Sequence, residues 1–76
     1  MGVSLEQRSD SVSALKLDQA SSTLLYVGEA TIAAPSSSPM WRIRKIDTTS
    51  GVDILWADGN SFYDNVWDNR ASLTYI

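Results

Sequence analysis

Met40-Trp41-Arg42-Ile43-Arg44-Lys45-Ile46-Asp47-Thr48-Thr49-Ser50-Gly51-Val52-Asp53-Ile54-Leu55-Trp56-Ala57 reads as two strands joined by a tight loop. The first half alternates: Trp41 and Ile43 share a face with Lys45, and Arg42 and Arg44 share the other with Ile46. Asp47 to Gly51 supplies the turn, with glycine where a positive φ is usually needed, and Val52 to Ala57 returns. A bulge near Arg44-Lys45 would bring Trp41, Ile43 and Ile46 to one side. With Ile46 set opposite Val52, Lys45 faces Asp53 in an ion pair, and Arg42 faces Trp56 in a cation-π contact. A hairpin of this kind needs further strands to stand, and the chain on either side supplies them.

Upstream, residues 23–33 (TLLYVGEATIA) are rich in β-formers around Gly28 and read as one strand, or two short ones bent at the glycine. Pro35-Ser36-Ser37-Ser38-Pro39 is a loop, because it lacks two backbone donors and carries turn-favouring serines. Residues 1–22 are serine-rich and polar, with apolar side chains at Val3, Leu5, Val12, Leu15 and Leu17. Ordering such a segment costs ~1–2 kcal/mol per residue in backbone entropy, with little apolar return. It is therefore expected to be an arm lying against neighbouring chains, with those five residues as the contacts. A short strand or helix folding back on its own domain is the alternative.

Downstream, Asp58-Gly59-Asn60 is a turn, and Asn60 or Ser61 is placed to cap a short helical turn from Phe62 to about Trp67. Within it, Tyr63-Asp64-Asn65 and Trp67-Asp68-Asn69 repeat an aromatic-Asp-Asn triplet at a spacing that would stack the copies on one helical face. Residues 70–76 (RASLTYI) alternate again and read as a closing strand. The expected fold is all-β: a small antiparallel barrel or sandwich of four or five strands, with residues 1–22 as an arm and residues 23–76 as the β domain.

Seventy-six residues make one small domain. Surface scaling for this mass hides roughly 7,500 Å², and roughly 110 kcal/mol of apolar burial is about matched by ~1.5 kcal/mol per residue of ordering entropy. Small chains escape that balance with disulfides, metals or partner subunits. The sequence has neither cysteine nor histidine, which rules out disulfides and removes the commonest zinc ligands and general base. Partner contacts are the remaining remedy, and a homo- or hetero-oligomer is expected. The net charge of −3 argues against nucleic acid as the main ligand. Arg42, Arg44 and Lys45 are close enough to touch phosphates, but a solvated strand face with acidic partners accounts for them better. No apolar run is long enough for membrane insertion, and the amino terminus lacks the pattern of a signal peptide.

The chemistry, if any, lies in residues 56–70. Asp58, Asn60, Asp64, Asn65, Asp68 and Asn69 offer many oxygens, yet no glutamate stands where a helix-loop-helix calcium loop needs one, so Asx-turns are preferred and no metal is expected. Trp56, Tyr63 and Trp67 beside Asp, Asn and Arg also match the composition of a sugar-binding face, where flat rings stack on a glycan; the competing use of these rings is the core. Asp64 and Asp68 could serve as paired carboxylates, but nothing nearby completes an acid-base site. No catalytic residue and no cofactor is expected, and the chain is not read as an enzyme.

The order W-R-I-R-K-I, a D-T-T-S-G loop, I-L-W-A-D-G-N and then F-Y-D-N-V-W-D-N-R-A-S-L-T-Y resembles a group of short proteins encoded among the structural genes of tailed bacteriophages. The resemblance covers about residues 26–76. Its most specific part is Trp67-Asp68-Asn69-Arg70, with Asp64 and Asn65 just ahead. It implies a small virion component, assembled in the host cytoplasm, whose partners are other virion structural proteins. A tail, fibre or baseplate position is preferred, with capsid decoration as the alternative. Two other classes compete: a carbohydrate-binding module that uses Trp56, Tyr63 and Trp67 on a host glycan, and an intracellular adaptor with no viral role.

Overall fold

The computed structural model describes residues 14–76, which fold as one antiparallel five-stranded sheet. The strands are β1 (Ala14–Ser21), β2 (Leu24–Ala30), β3 (Pro39–Asp47), β4 (Asp53–Trp56) and β5 (Asn65–Val66), followed by a 3-10 helix (Trp67–Ser72). Neighbours run β1-β2-β3-β4, and β5 pairs with β3 as well. The all-β antiparallel reading holds. The sheet does not close into a barrel, since β1 and β4 lie at opposite ends of the order.

β3 is the centre because its alternating nine residues can serve both faces at once. On one long edge it pairs with β2. Its other edge is divided: Arg44 to Asp47 take β4, and Pro39 to Trp41 take β5 across a register shift. Alternation then assigns the faces. Trp41 and Ile43 point to the core face with Gly28, Tyr26 and Ala30 of β2 and Ala57 after β4. Arg42, Arg44 and Ile46 point to the opposite face with Glu29, Val27, Leu25, Trp56 and Ile54.

The second layer is supplied by β5, the 3-10 helix and the carboxyl-terminal tail, which lay Trp67, Leu73 and Tyr75 over the core face. Trp41 and Ile43 are the largest fully enclosed side chains, and enclosing each is worth about 1.5–3 kcal/mol. The rings meet in two tilted pairs, Trp41 with Trp67 at 6.2 Å and Tyr26 with Tyr75 at 5.8 Å. Trp41 Nε1 donates to the Pro35 carbonyl at 3.0 Å, so the proline-serine loop satisfies the buried indole.

Several expectations change. Residues 14–21 of the expected arm are a strand paired with β2 from Ala14↔Ala30 to Ser21↔Leu24. The Leu15-Lys16-Leu17-Asp18 alternation fits a pleated surface, and β2 gives its backbone partners. No bulge interrupts β3 against β2 near Arg44-Lys45, so Ile46 stays on the arginine face. The hairpin register is two residues from the expected one: Ile46 faces Ile54, Lys45 faces Leu55 and Arg44 faces Trp56. Asp47 Oδ1 accepts the Thr49 N–H at 2.9 Å, and this local turn keeps Asp47 in the ladder opposite Asp53, so the Lys45–Asp53 pair does not form. Asn60 Oδ1 accepts the Phe62 N–H at 2.9 Å without starting a helix. The helical turn begins later, at Trp67, because Asn65 and Val66 are committed to β3. The closing strand shrinks to a single bridge, Ala57↔Tyr75, flanked by Asp58 N–H to Thr74 O at 2.7 Å and Ile76 N–H to Trp56 O at 3.2 Å.

Candidate functional site

The side of the sheet away from the tail is the candidate site, and register lays it out as three rows. Leu15, Glu29 and Arg42 form the first. Leu17, Val27, Arg44 and Trp56 form the second. Gln19, Leu25, Ile46 and Ile54 form the third. Apolar side chains at its margins stay in water: Leu15 is 59% exposed, Leu17 63% and Ile54 54%. Among the described residues no strand or helix lies across this face, although Tyr63 from the loop after β4 rests on Arg42 and Val27 at its centre is buried.

Its centre is charged and ordered. Glu29 Oε1 accepts from Arg42 Nε at 2.8 Å and from Arg44 Nη1 at 2.9 Å. Burial pushes the Glu29 carboxyl up, but the hydrogen bonds from Arg44 and Arg42 and their positive charge outweigh it and hold it below the ordinary value. The guanidiniums also lie over rings: Arg42 is 4.8 Å from the Tyr63 ring centre and 5.8 Å from that of Trp56, and Arg44 is 5.2 Å from Trp56. The Arg42–Trp56 contact expected from the sequence is therefore present, although Arg44 is the residue opposite Trp56. Two guanidiniums, one carboxylate and two half-buried rings make a fixed surface suited to recognition.

The sequence-predicted residues scatter. Val3, Leu5 and Val12 lie outside the described residues, while Leu15 and Leu17 sit at the β1 margin of the open face. Trp56 and Tyr63 reach the same face, joined by Arg42. Trp67 is on the other side, 6% exposed and packed on Trp41. The expected aromatic trio is thus divided between a surface and the core.

The Asp-Asn motif enters the fold through the Asn65 side chain and through backbone groups, while the Asp64, Asp68 and Asn69 side chains are exposed. Asn65 is buried, pairs with Trp41 in the ladder and donates from Nδ2 to Asp64 Oδ1 at 3.2 Å. The Asp68 N–H donates to Ser36 O, and Asn69 O accepts from Ser72 Oγ. Arg70 Nε donates to Asp18 Oδ2 at 2.8 Å and Nη1 to Trp67 O at 3.2 Å, with the guanidinium 4.6 Å from the Trp67 ring. Arg70 thereby clamps the tail to β1. Among the described residues no three acidic side chains gather where a cation could be held. The acidic partner expected for Arg42 and Arg44 is Glu29, opposite Arg42 in the ladder, whereas Asp18, 52 positions from Arg70, has no signal in the sequence.

No family profile, curated protein or solved structure matches the chain.

Proposed function

We propose that the chain is a structural component of a tailed-bacteriophage virion, a small β module that binds other virion subunits. The observation that carries this reading is the half-finished sheet: one face is sealed by the chain's own tail, and the other leaves Leu15, Leu17 and Ile54 exposed around an ordered arginine-glutamate centre. Hydrophobic margins around fixed polar groups are what a subunit contact uses. The motif resemblance over residues 26–76 supplies the setting. A tail, fibre or baseplate position is preferred to capsid decoration. Its role is binding rather than turnover, and its partners are protein subunits rather than nucleic acid or membrane.

Carbohydrate binding is the lesser reading, because Trp67 is enclosed and Arg42 occupies the space between Trp56 and Tyr63, which leaves no pair of bare flat rings. Mass spectrometry of purified virions, with heads and tails separated, tests the proposal. The chain is expected in the particle and enriched in the tail fraction. Its absence from intact virions overturns the reading, and enrichment in heads moves it to decoration. Isolated, the chain is expected to melt low and to gain stability on assembly.

A further inference from the structure

The two ends of the sheet are treated differently. β4 is short, and its Trp56 carbonyl and the following Ala57 and Asp58 are engaged by Thr74 to Ile76. β1 has eight residues, no proline or glycine, and no partner on its outer edge among the described residues. A strand of that kind is a template for another strand.

We propose that the outer edge of β1 pairs antiparallel with β1 of a second copy, across a two-fold axis through Leu17. The inference rests on the reading of the chain as an assembly module and names its first partner as itself. The argument is register. An antiparallel two-fold that continues one sheet must keep each residue opposite one on its own face, so the axis passes through a residue. An axis at Lys16 sets Lys16 against Lys16 of the second copy, and an axis at Asp18 sets two carboxylates together. At Leu17, Lys16 of each copy faces Asp18 of the other, and Ala14 faces Ala20. The complementary part is Lys16-Leu17-Asp18, flanked by Leu15 facing Gln19, and it lies ahead of the register shift that β1 shows between Gln19 and Ser21.

The same axis accounts for the exposed leucines. Leu17 meets its own copy on the open face, and Val27 stands beside it in each sheet. Each copy's exposed β1 margin then lies at the centre of a continuous surface. On the other face Asp18 keeps its bond to Arg70 while receiving the second copy's lysine, whose amine turns outward from its place 5.8 Å from its own Trp41 ring centre. Each carboxylate sits between two cations, which favours the pair over either alternative register.

Because the chain has no cysteine, single-cysteine variants of the full chain give a direct test. Leu17→Cys is expected to form a disulfide-linked dimer on mild oxidation, since opposite Cα atoms in a ladder are about 4.5–5.5 Å apart. Leu15→Cys alone should not, because four residues of offset separate the copies by ~13 Å. Leu15→Cys mixed with Gln19→Cys should cross-link. Sedimentation equilibrium supplies the second arm: Lys16→Asp and Asp18→Lys each raise the dimer dissociation constant about tenfold or more, and an equal mixture of the two restores dimers, with near-UV circular dichroism reporting the fold of each.

A wild-type chain that stays monomeric at high concentration with no Leu17→Cys cross-link overturns the pairing. So does Leu15→Cys linking to itself as readily as Leu17→Cys, or charge variants that dimerise like wild type. A dimer absent from virions would overturn the proposed function and leave the pairing; a virion component that is monomeric would do the reverse.

Discussion

Gly28 lies beneath the Trp67 indole: a Cβ built on Gly28 would stand 2.6 Å from Cζ3 of that ring and 3.4 Å from Cε3 of Trp41. The glycine in β2 is there to admit a ring from the tail, and that ring seals the core. Alanine normally favours a strand over glycine, so any loss isolates the clash. Gly28→Ala is expected to cost about 1–3 kcal/mol in urea denaturation, because neither indole can swing away without opening a gap. In a Trp67→Ala background the same change should be neutral or stabilising. Additive losses would show that the ring does not rest on Gly28.

Glu29 makes the open face sensitive to acid. Its folded-state pKa is depressed, so the stability it contributes is present above the ordinary value of 4.5 and is lost as pH falls through the lower folded value. Asp47, lowered by the Thr49 hydrogen bonds, acts in the same direction. Stability measured by denaturant titration should therefore fall below about pH 4.5, and Glu29→Gln should flatten that limb while lowering stability at pH 7. An unchanged acid limb in Glu29→Gln would mean that the two arginines do not favour the charged carboxylate.

The hairpin was legible because alternation in residues 40–46 and the Thr-Thr-Ser-Gly loop agree, each being a short-range signal. Its register was not, since a five-residue loop tolerates two settings and the deciding contact is a single bond from the Thr49 N–H to the Asp47 side chain. β1 was legible in principle: Leu15-Lys16-Leu17-Asp18 has the period of a strand, but its polar composition outweighed the pattern. The aromatic triplets misled because Tyr63 and Trp67 are separated by β5, which sends them to opposite faces of the sheet. An acidic partner for Arg42 and Arg44 was legible, but that it is Glu29, and that Asp18 holds Arg70, was not, because tertiary pairing alone brings them together.

Asp58 holds the turn after β4 in a left-handed conformation. Its φ is 60° and that of Gly59 is 74°, the sign pattern of a type I′ turn, and its N–H is tied to Thr74. Aspartate and asparagine tolerate that region far better than branched residues. Asp58→Asn should leave the denaturation midpoint nearly unchanged, whereas Asp58→Val should cost about 1–2 kcal/mol. Equal stability of the two variants would place the strain elsewhere.

Tyr75 fastens the tail from inside. Its hydroxyl donates to the Arg70 carbonyl at 2.7 Å, and its ring packs on Tyr26 with Lys45 5.1 Å away. Burial, and then the neighbouring Tyr26, push its pKa well above the ordinary value of 10. The sign follows from linkage: above pH 10 the unfolded chain releases this proton and the folded chain does not, so stability falls as pH rises. Tyr75→Phe removes both the proton and the bond. At pH 7 it should lose about 0.5–1.5 kcal/mol, the net worth of one such hydrogen bond. Above pH 10 its stability should decline less steeply than that of the wild type, so the two curves converge. Parallel curves through the alkaline range would mean that Tyr75 ionises as easily in the folded chain as in the unfolded one, and its partly buried hydroxyl would then not be held on the Arg70 carbonyl.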